Sequence, residues 1–175
     1  MRAIDFICQF LKHPGEIGAV AGSSRFAGRA MAREMDGSLN VIEFGGGTGT
    51  ITAQILKYLP ENGRLTCFEI NPKFCEYLRK INDPRLTVVN DNAANCEKYV
   101  DSLECIVSAL PLTLFNKSER ERFLSIAGRA KKYIQIFYSK VLTETLKDYF
   151  SDVKVKFVLL NLPPAFIHVC SNSTK

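Results

Sequence analysis

The segment Val41-Ile42-Glu43-Phe44-Gly45-Gly46-Gly47-Thr48-Gly49-Thr50 constrains this chain more than any other. A compact apolar run, Asn40–Phe44, stops at glycines, and a helical pattern over Ile51–Leu59 begins just beyond them. A strand that passes through a glycine turn into a helix aims backbone N–H groups and a helix N-terminus at the carboxyl edge of a sheet. That edge is where open α/β sheets bind ligands. Glycine suits the turn because a Cβ would obstruct either the turn or the ligand's approach.

The alternation continues downstream. Strand patterns cover Arg64–Ile70, Arg85–Asn90, Cys105–Leu110 and Tyr133–Tyr138. Helical patterns cover Pro72–Lys80, Ser118–Arg129 and Thr143–Phe150. Strands alternating with helices imply parallel strands joined by crossovers, hence an α/β fold with a mostly parallel sheet flanked by helices. The ending breaks this rule: Val153–Leu160 and Phe166–Cys170 are joined by a short proline-containing connection, which predicts a C-terminal antiparallel hairpin. Residues 1–35 read as helical. Ile4, Ile7, Phe10 and Leu11 share one face before His13-Pro14-Gly15 breaks the pattern, and a second helix starts after Ser23-Ser24. A turn at Asp36-Gly37 closes that region, and 175 residues suit a single domain, 1–175.

Composition narrows the class. No apolar run approaches the roughly 20 residues a spanning helix needs, and charges interrupt the N-terminal apolar stretch too early for a signal peptide, so a cytoplasmic location is expected. The six cysteines form no Cys-x-x-Cys pair; Cys67, Cys105 and Cys170 sit in apolar runs where a thiol acts as a small hydrophobe, and the two histidines are far apart. No metal is therefore expected. A net charge of +5 is compatible with nucleic acid, an anionic membrane surface, or neither.

The glycine string lacks the third glycine of a dinucleotide fingerprint, because Thr50 stands there, and it lacks the lysine of a phosphate-binding P-loop. It resembles motif I of the class I methyltransferases, Glu/Asp-x-Gly-x-Gly-x-Gly, carried here by Glu43, Gly45, Gly47 and Gly49. The resemblance implies a Rossmann-like fold and S-adenosyl-L-methionine as cofactor, with Glu43 near its methionine portion. About twenty residues later, Glu69-Ile70 ends the second strand, where a carboxylate accepts hydrogen bonds from ribose hydroxyls. The third strand ends in Asn90-Asp91-Asn92-Ala93, a polar tip suited to the adenine amine; family members commonly use an Asp and the following amide there. Competing readings stay open, since Asp91 and Asn92 also favour turns and Glu69 could cap a helix. Ser108 and Leu110, at the fourth strand's tip, complete the expected cofactor contacts.

That tip, Ser108-Ala109-Leu110-Pro111-Leu112, lies where class I enzymes place their acceptor. It has neither the Asn/Asp-Pro-Pro-Tyr/Phe of adenine and glutamine N-methyltransferases nor the Asn-x-Pro-Tyr/Phe of ribosomal adenine dimethyltransferases, so no nucleic acid partner is expected. A narrower resemblance, to the bacterial phospholipid N-methyltransferases acting on phosphatidylethanolamine, spans nearly the whole chain. It rests on Gly22-Ser23-Ser24-Arg25-Phe26, the glycine loop, Glu69–Cys75, Ser108–Leu112, Tyr133–Tyr138 and Asn161-Leu162-Pro163-Pro164-Ala165. One departure is Ala130-Lys131-Lys132, where that family often has Pro-Gly-Gly. The resemblance implies a phospholipid substrate met at the inner membrane surface.

A lipid headgroup cannot leave its anchor, so the apolar face of residues 4–11, flanked by Arg2 and Lys12, is expected either to lie in the interface or to pack as a lid. Tyr138, at the fifth strand's tip, is the candidate for positioning the amine, with Ser108 the second candidate catalytic residue; a place in the core is the alternative for Tyr138. Arg25 with Ser24 is the candidate for the lipid phosphate, and Leu110, Pro111 and Tyr138 complete the acceptor site. His168 reads as a core residue. Other acceptors, such as a small amine or ribosomal RNA adenine, and a non-catalytic lipid- or nucleotide-binding module on the same fold remain the alternatives.

Overall fold

The architecture is seen in a computed structural model that describes residues 24–161 and 163–172. The apolar face of residues 4–11, its flanking Arg2 and Lys12, and Leu162 lie outside the described residues. In chain order the elements are α1 (Arg25–Arg33), β1 (Asn40–Phe44), α2 (Thr50–Tyr58), β2 (Arg64–Phe68), α3 (Pro72–Arg79) and β3 (Leu86–Val89). There follow β4 (Cys105–Ser108), α4 (Lys117–Ala127), β5 (Lys132–Phe137), α5 (Thr143–Lys147), β6 (Asp152–Val158) and β7 (Ala165–Ser171). Two short 3-10 turns, Ala93–Lys98 and Leu112–Leu114, fill the links on either side of β4. Neither is foreshadowed in the sequence, because runs this short hold no 3.6-residue period.

The seven strands form one sheet in the order β3-β2-β1-β4-β5-β7-β6. The first five are parallel; β7 pairs antiparallel with β5 and with β6. This is the Rossmann-like α/β architecture expected, with the terminal hairpin in place. The last strand lies inside the hairpin's first, because β7, with Ala165, Ile167, His168 and Cys170 buried, carries the more apolar residues. The exposed residues of β6, among them Lys154 and Lys156, suit an edge.

Central strands are buried on both faces, and successive residues point to opposite sides. Ile42, Phe44, Phe68, Ile106, Tyr133 and Phe137 join Phe123 and Leu124 of α4 in one core. Val41, Leu65, Val107, Ile134 and Ile136 join Ala27 and Met31 of α1 and Ile51 and Ile55 of α2 in the other. The same alternation sends Glu43 toward α2, and Ser108 and Gln135 toward α4. Five strands end earlier than their patterns suggest, β3 at Val89 and β6 at Val158 among them. Glu69 and Ile70 lie beyond β2, Tyr138 lies beyond β5, and Leu110 lies beyond β4, where its carbonyl accepts from Leu112 N–H (2.8 Å) in a tight turn.

Ser24 caps α1, its hydroxyl accepting from Ala27 N–H (3.3 Å), and Asn71 caps α3 ahead of Pro72. Among the described residues no helix is long and apolar enough to cross a membrane. Cys67, Cys75, Cys96, Cys105 and Cys170 are buried free thiols, and His168 is buried with Nε2 2.8 Å from Thr143 Oγ1.

Arg85 locks the end of α2 to the start of β3. Its guanidinium donates to the carbonyls of Leu56 (2.8 Å) and Leu59 (2.7 Å) and grips both oxygens of Asp83 (2.9 and 2.6 Å). Replacing it strands helix-terminal carbonyls and a carboxylate together. Arg85→Ala is expected to lower unfolding stability by about 2–3 kcal/mol, read as a shifted urea midpoint at constant slope. Arg85→Lys should recover little, since an ammonium cannot span this fork.

Candidate cofactor and acceptor site

The parallel strands deliver their carboxyl ends to one edge, and the glycine loop crosses it from β1 to α2. Gly45, Gly47 and Gly49 all have positive φ (82°, 52° and 83°), a backbone region that other residues rarely adopt. Gly46 is held by contact instead. A Cβ there would stand 2.3 Å from Cys67 Sγ and 2.7 Å from Leu78 Cδ1, so the loop rests directly on β2 and α3. Around Gly47 the space a Cβ would enter is open.

Glu69, beyond the tip of β2, holds this loop. Its Oε2 accepts from Gly47 N–H (2.8 Å) and its Oε1 from Asn71 N–H (2.8 Å), while Asn90 Nδ2 braces the carbonyl of Glu69 (2.9 Å). Each carboxylate oxygen retains a second lone pair, which is the capacity that two ribose hydroxyls require. At the tip of β3, Asp91 is engaged locally: Oδ1 accepts from Asn92 N–H (2.6 Å) and Asn95 Nδ2 (2.9 Å), and Oδ2 from the Tyr99 hydroxyl (2.9 Å). These bonds hold its carboxyl below the usual carboxylate range. Asn92 Oδ1 accepts from Ala94 N–H (2.9 Å), capping the 3-10 turn. The turn-forming reading of both residues is thus realised in this geometry. Beside them Ile70, Asn92, Ala94, Phe115 and Phe123, with Glu119 and Arg122, line a mostly apolar cleft. Ala93 is buried behind it. Phe115 and Phe123 are cleft residues that sequence reasoning missed, because nothing in their local pattern separates a cleft wall from core.

Glu43 is the most unusual group here. It is 1% exposed, and Thr52 Oγ1 donates to its Oε2 (2.7 Å), but its Oε1 has no hydrogen-bond partner. Burial pushes its carboxyl up to about 7, opposed by the Thr52 hydroxyl and by the Cys67 thiol beside it, and reinforced by nearby Glu69. An orphaned carboxylate oxygen under an open glycine loop suits a ligand carrying a cationic amine, and the methionine end of S-adenosylmethionine is such a ligand. The cleft beside Asn92 suits its flat adenine.

On the acceptor side, Ser108 and Gln135 are fully buried neighbours in register across β4 and β5. Gln135 Nε2 donates to the carbonyl of Leu110 (3.0 Å), and Tyr133 OH donates to Gln135 Oε1. Ser108 Oγ accepts from Leu110 N–H (3.3 Å) and lies within hydrogen-bonding reach of Tyr133, whose phenol burial pushes up. Both polar groups of Leu110 are therefore fixed from beneath. Gln135 was missed as a site residue, and the signal for it was an amide inside an otherwise apolar strand. Ser108, expected as a candidate catalytic residue, is fully buried, with its hydroxyl turned to the chain's own backbone. Tyr138 is 37% exposed, so it is not a core residue.

Ser24 N–H donates to Asn161 Oδ1 (3.0 Å), and Asn161, itself buried, donates to Pro163 O (2.6 Å). Two stretches 137 residues apart, both outside the general cofactor fold, thus meet at this edge. Arg25 is exposed, with its guanidinium 5.1 Å from the Phe26 ring centroid. Ala130-Lys131-Lys132, the departure from the phospholipid enzymes' pattern, leads into the amino end of β5, opposite the carboxyl edge.

Residues 41–132 match the family described as methyltransferase domain. This chain belongs to that family. The matched stretch covers the glycine loop and the tips of β2, β3 and β4. Methyl transfer is accordingly its reaction and S-adenosylmethionine its cofactor. The chain is 26% identical to an ornithine lipid N-methyltransferase of Singulisphaera acidiphila, over 94% of this chain and 93% of that protein. Its fold is similar to that of precorrin-6y C5,15-methyltransferase from Geobacter metallireducens (TM-score 0.67, 14% identity, 84% of this chain and 87% of the other). It is also similar to that of magnesium protoporphyrin IX methyltransferase from Synechocystis, solved with bound S-adenosylmethionine (TM-score 0.69, 12% identity, 85% and 79%).

Glu43 generates a test of this arrangement. Its carboxyl ionises near 4.5 when unfolded and near 7 when folded. Below pH 4.5 both states keep the proton and stability is whole; as pH rises toward 7 only the unfolded chain ionises, and stability falls. The decline amounts to roughly 3 kcal/mol. Glu43→Gln keeps the Thr52 bond but cannot ionise, so in urea unfolding of the ligand-free protein this part of the decline should vanish.

Proposed function

We propose that this methyltransferase acts on the amine headgroup of a membrane lipid, with phosphatidylethanolamine and its methylated forms as the first candidates. When bound, S-adenosylmethionine supplies an activated methyl group for in-line transfer to the headgroup amine. The amine meets Tyr138 as an ammonium and releases its proton to solvent before its lone pair attacks the methyl carbon. In this reading Glu69 takes the ribose hydroxyls on the lone pairs that Gly47 and Asn71 leave free. Glu43 meets the amine of the methionine portion with its open oxygen. Gly45, Gly47 and Gly49 let the backbone approach, and Ile70, Asn92 and Ala93 border the adenine, with Asp91 holding their turn.

The observation that carries the acceptor assignment is the composition of the rim around Leu110-Pro111. Ser108 and Gln135 fix Leu110 by both its backbone groups, so the Leu110-Pro111 strip presents apolar surface where nucleobase enzymes present an amide and a stacking ring. Tyr138 stands exposed beside it, able to position an amine with its ring face. Ser24 and Arg25, tied to the β6–β7 turn through Asn161, bring a cation to the same edge for a headgroup phosphate. The likeness to an ornithine lipid N-methyltransferase supports a lipid amine independently, and it makes ornithine lipid the second candidate acceptor.

Purified protein, labelled S-adenosylmethionine and separate dispersions of phosphatidylethanolamine, ornithine lipid and RNA decide between these acceptors. Mono-, di- and trimethylated phosphatidylethanolamine are the products expected by mass spectrometry. Label in ornithine lipid alone would move the assignment to the second lipid, and label in RNA alone would end the lipid reading. Because its side chain is exposed, Tyr138→Ala should change stability by no more than about 0.5 kcal/mol. It should raise KM for the lipid by roughly fivefold or more, the loss of one cation–π contact, with the affinity for S-adenosylhomocysteine unchanged.

A further inference from the structure

The carboxyl edge carries more exposed apolar surface than its pockets use. Val141, Leu159 and Leu160 are 70%, 69% and 69% exposed, and Phe26 and Tyr138 stand exposed near them. The topology puts these residues together. β5 and β6 both run antiparallel to β7, so both finish at the carboxyl edge, and the residues that follow them, 138–142 and 159–161, emerge there. The Ser24–Asn161 hydrogen bond brings the start of α1, and Phe26 with it, to the same rim. Neither loop contains Asp or Glu. Their one charge, Lys140, lies with Nζ 5.1 Å from the Phe166 ring centroid, and Arg25 lies equally far from that of Phe26.

We propose that this rim is the surface by which the enzyme docks on a lipid bilayer. Leu159, Leu160 and Val141 enter the boundary between headgroups and acyl chains, and Arg25 and Lys140 meet anionic headgroups. The inference rests on the lipid-amine reading of the acceptor and names the face that reading requires. A contiguous exposed apolar patch marks an interaction site. Leu159 and Leu160 protrude from a hairpin turn, a shape that inserts into a soft interface but complements a flat protein surface poorly. Long cationic side chains laid over aromatic rings keep their charges at the water boundary, as interfacial residues do. Docked in this way, the rim sets the Leu110-Pro111 strip against the bilayer, and a headgroup amine reaches it without leaving its anchor.

The chain has no tryptophan, so Leu160→Trp installs a single reporter. With vesicles of phosphatidylglycerol and phosphatidylethanolamine its emission should shift to the blue and be quenched by brominated acyl chains. Replacing Leu159 and Leu160 together by Ser should weaken vesicle partitioning about 100-fold, tenfold for each leucine withdrawn. Methylation of detergent-dispersed lipid by this variant should be unchanged. An unshifted spectrum, or a double variant that sediments with vesicles like the parent, overturns the proposal. So does a shift that follows protein concentration rather than lipid, because a second copy would then cover the rim. If the shift is present but no lipid amine is methylated, the acceptor reading fails and the docking surface stands; methylation without the shift has the opposite meaning.

Discussion

Two backbone N–H groups, from Gly47 and Asn71, converge on the carboxylate of Glu69, and the carboxyl edge of this sheet depends on that convergence. A run of glycines has more conformational freedom to lose on folding than any other sequence, so a loop built from them needs tethers. Glu69 supplies one, and the contact of Gly46 with Cys67 and Leu78 supplies another. With the loop fixed, α2 starts at a set place, Thr52 reaches Glu43, and β1, β2 and α3 share one tightly packed junction. The carboxylate that organises the loop keeps further lone pairs free at the carboxyl edge, so one group both tethers the loop and retains capacity to accept hydrogen bonds.

Two buried polar side chains on opposite faces of the sheet illustrate different uses of an expensive placement. Gln135 is saturated: it receives Tyr133 and donates to the carbonyls of Leu110 and Ile136. A buried amide with its partners in the protein is a structural device, and this one fixes the turn at Leu110. Glu43 keeps an oxygen without a partner, and burial raises its proton affinity. An unsatisfied buried oxygen costs stability unless something arrives to meet it. The contrast separates a polar group that the protein satisfies by itself from one that it leaves incomplete.

Methyltransferases of similar fold carry names that refer to quite different molecules, precorrin and magnesium protoporphyrin among them, so the fold by itself does not fix an acceptor. At the carboxyl edge of this chain the Leu110-Pro111 strip, Tyr138, the start of α1 and the β6–β7 turn gather, the last two joined by a hydrogen bond between Ser24 and Asn161. That bond lets elements from opposite ends of the chain act as one rim.

Periodicity and turn chemistry in the sequence were enough to establish the alternating elements, the parallel sheet, the terminal hairpin, and the carboxyl-edge positions of Glu43, Glu69, Asp91 and Ser108. Those properties are local, because a residue's facing direction follows from its neighbours and a glycine turn announces itself. Tertiary structure alone decided that β7 lies inside β6, that Tyr138 is exposed, and that Asp91 spends its oxygens on Asn92, Asn95 and Tyr99. It alone joined Ser24 to Asn161 and set Gln135 beneath Leu110. Each of these depends on which distant group a side chain meets, and a one-dimensional pattern records which way a residue faces but not what waits there.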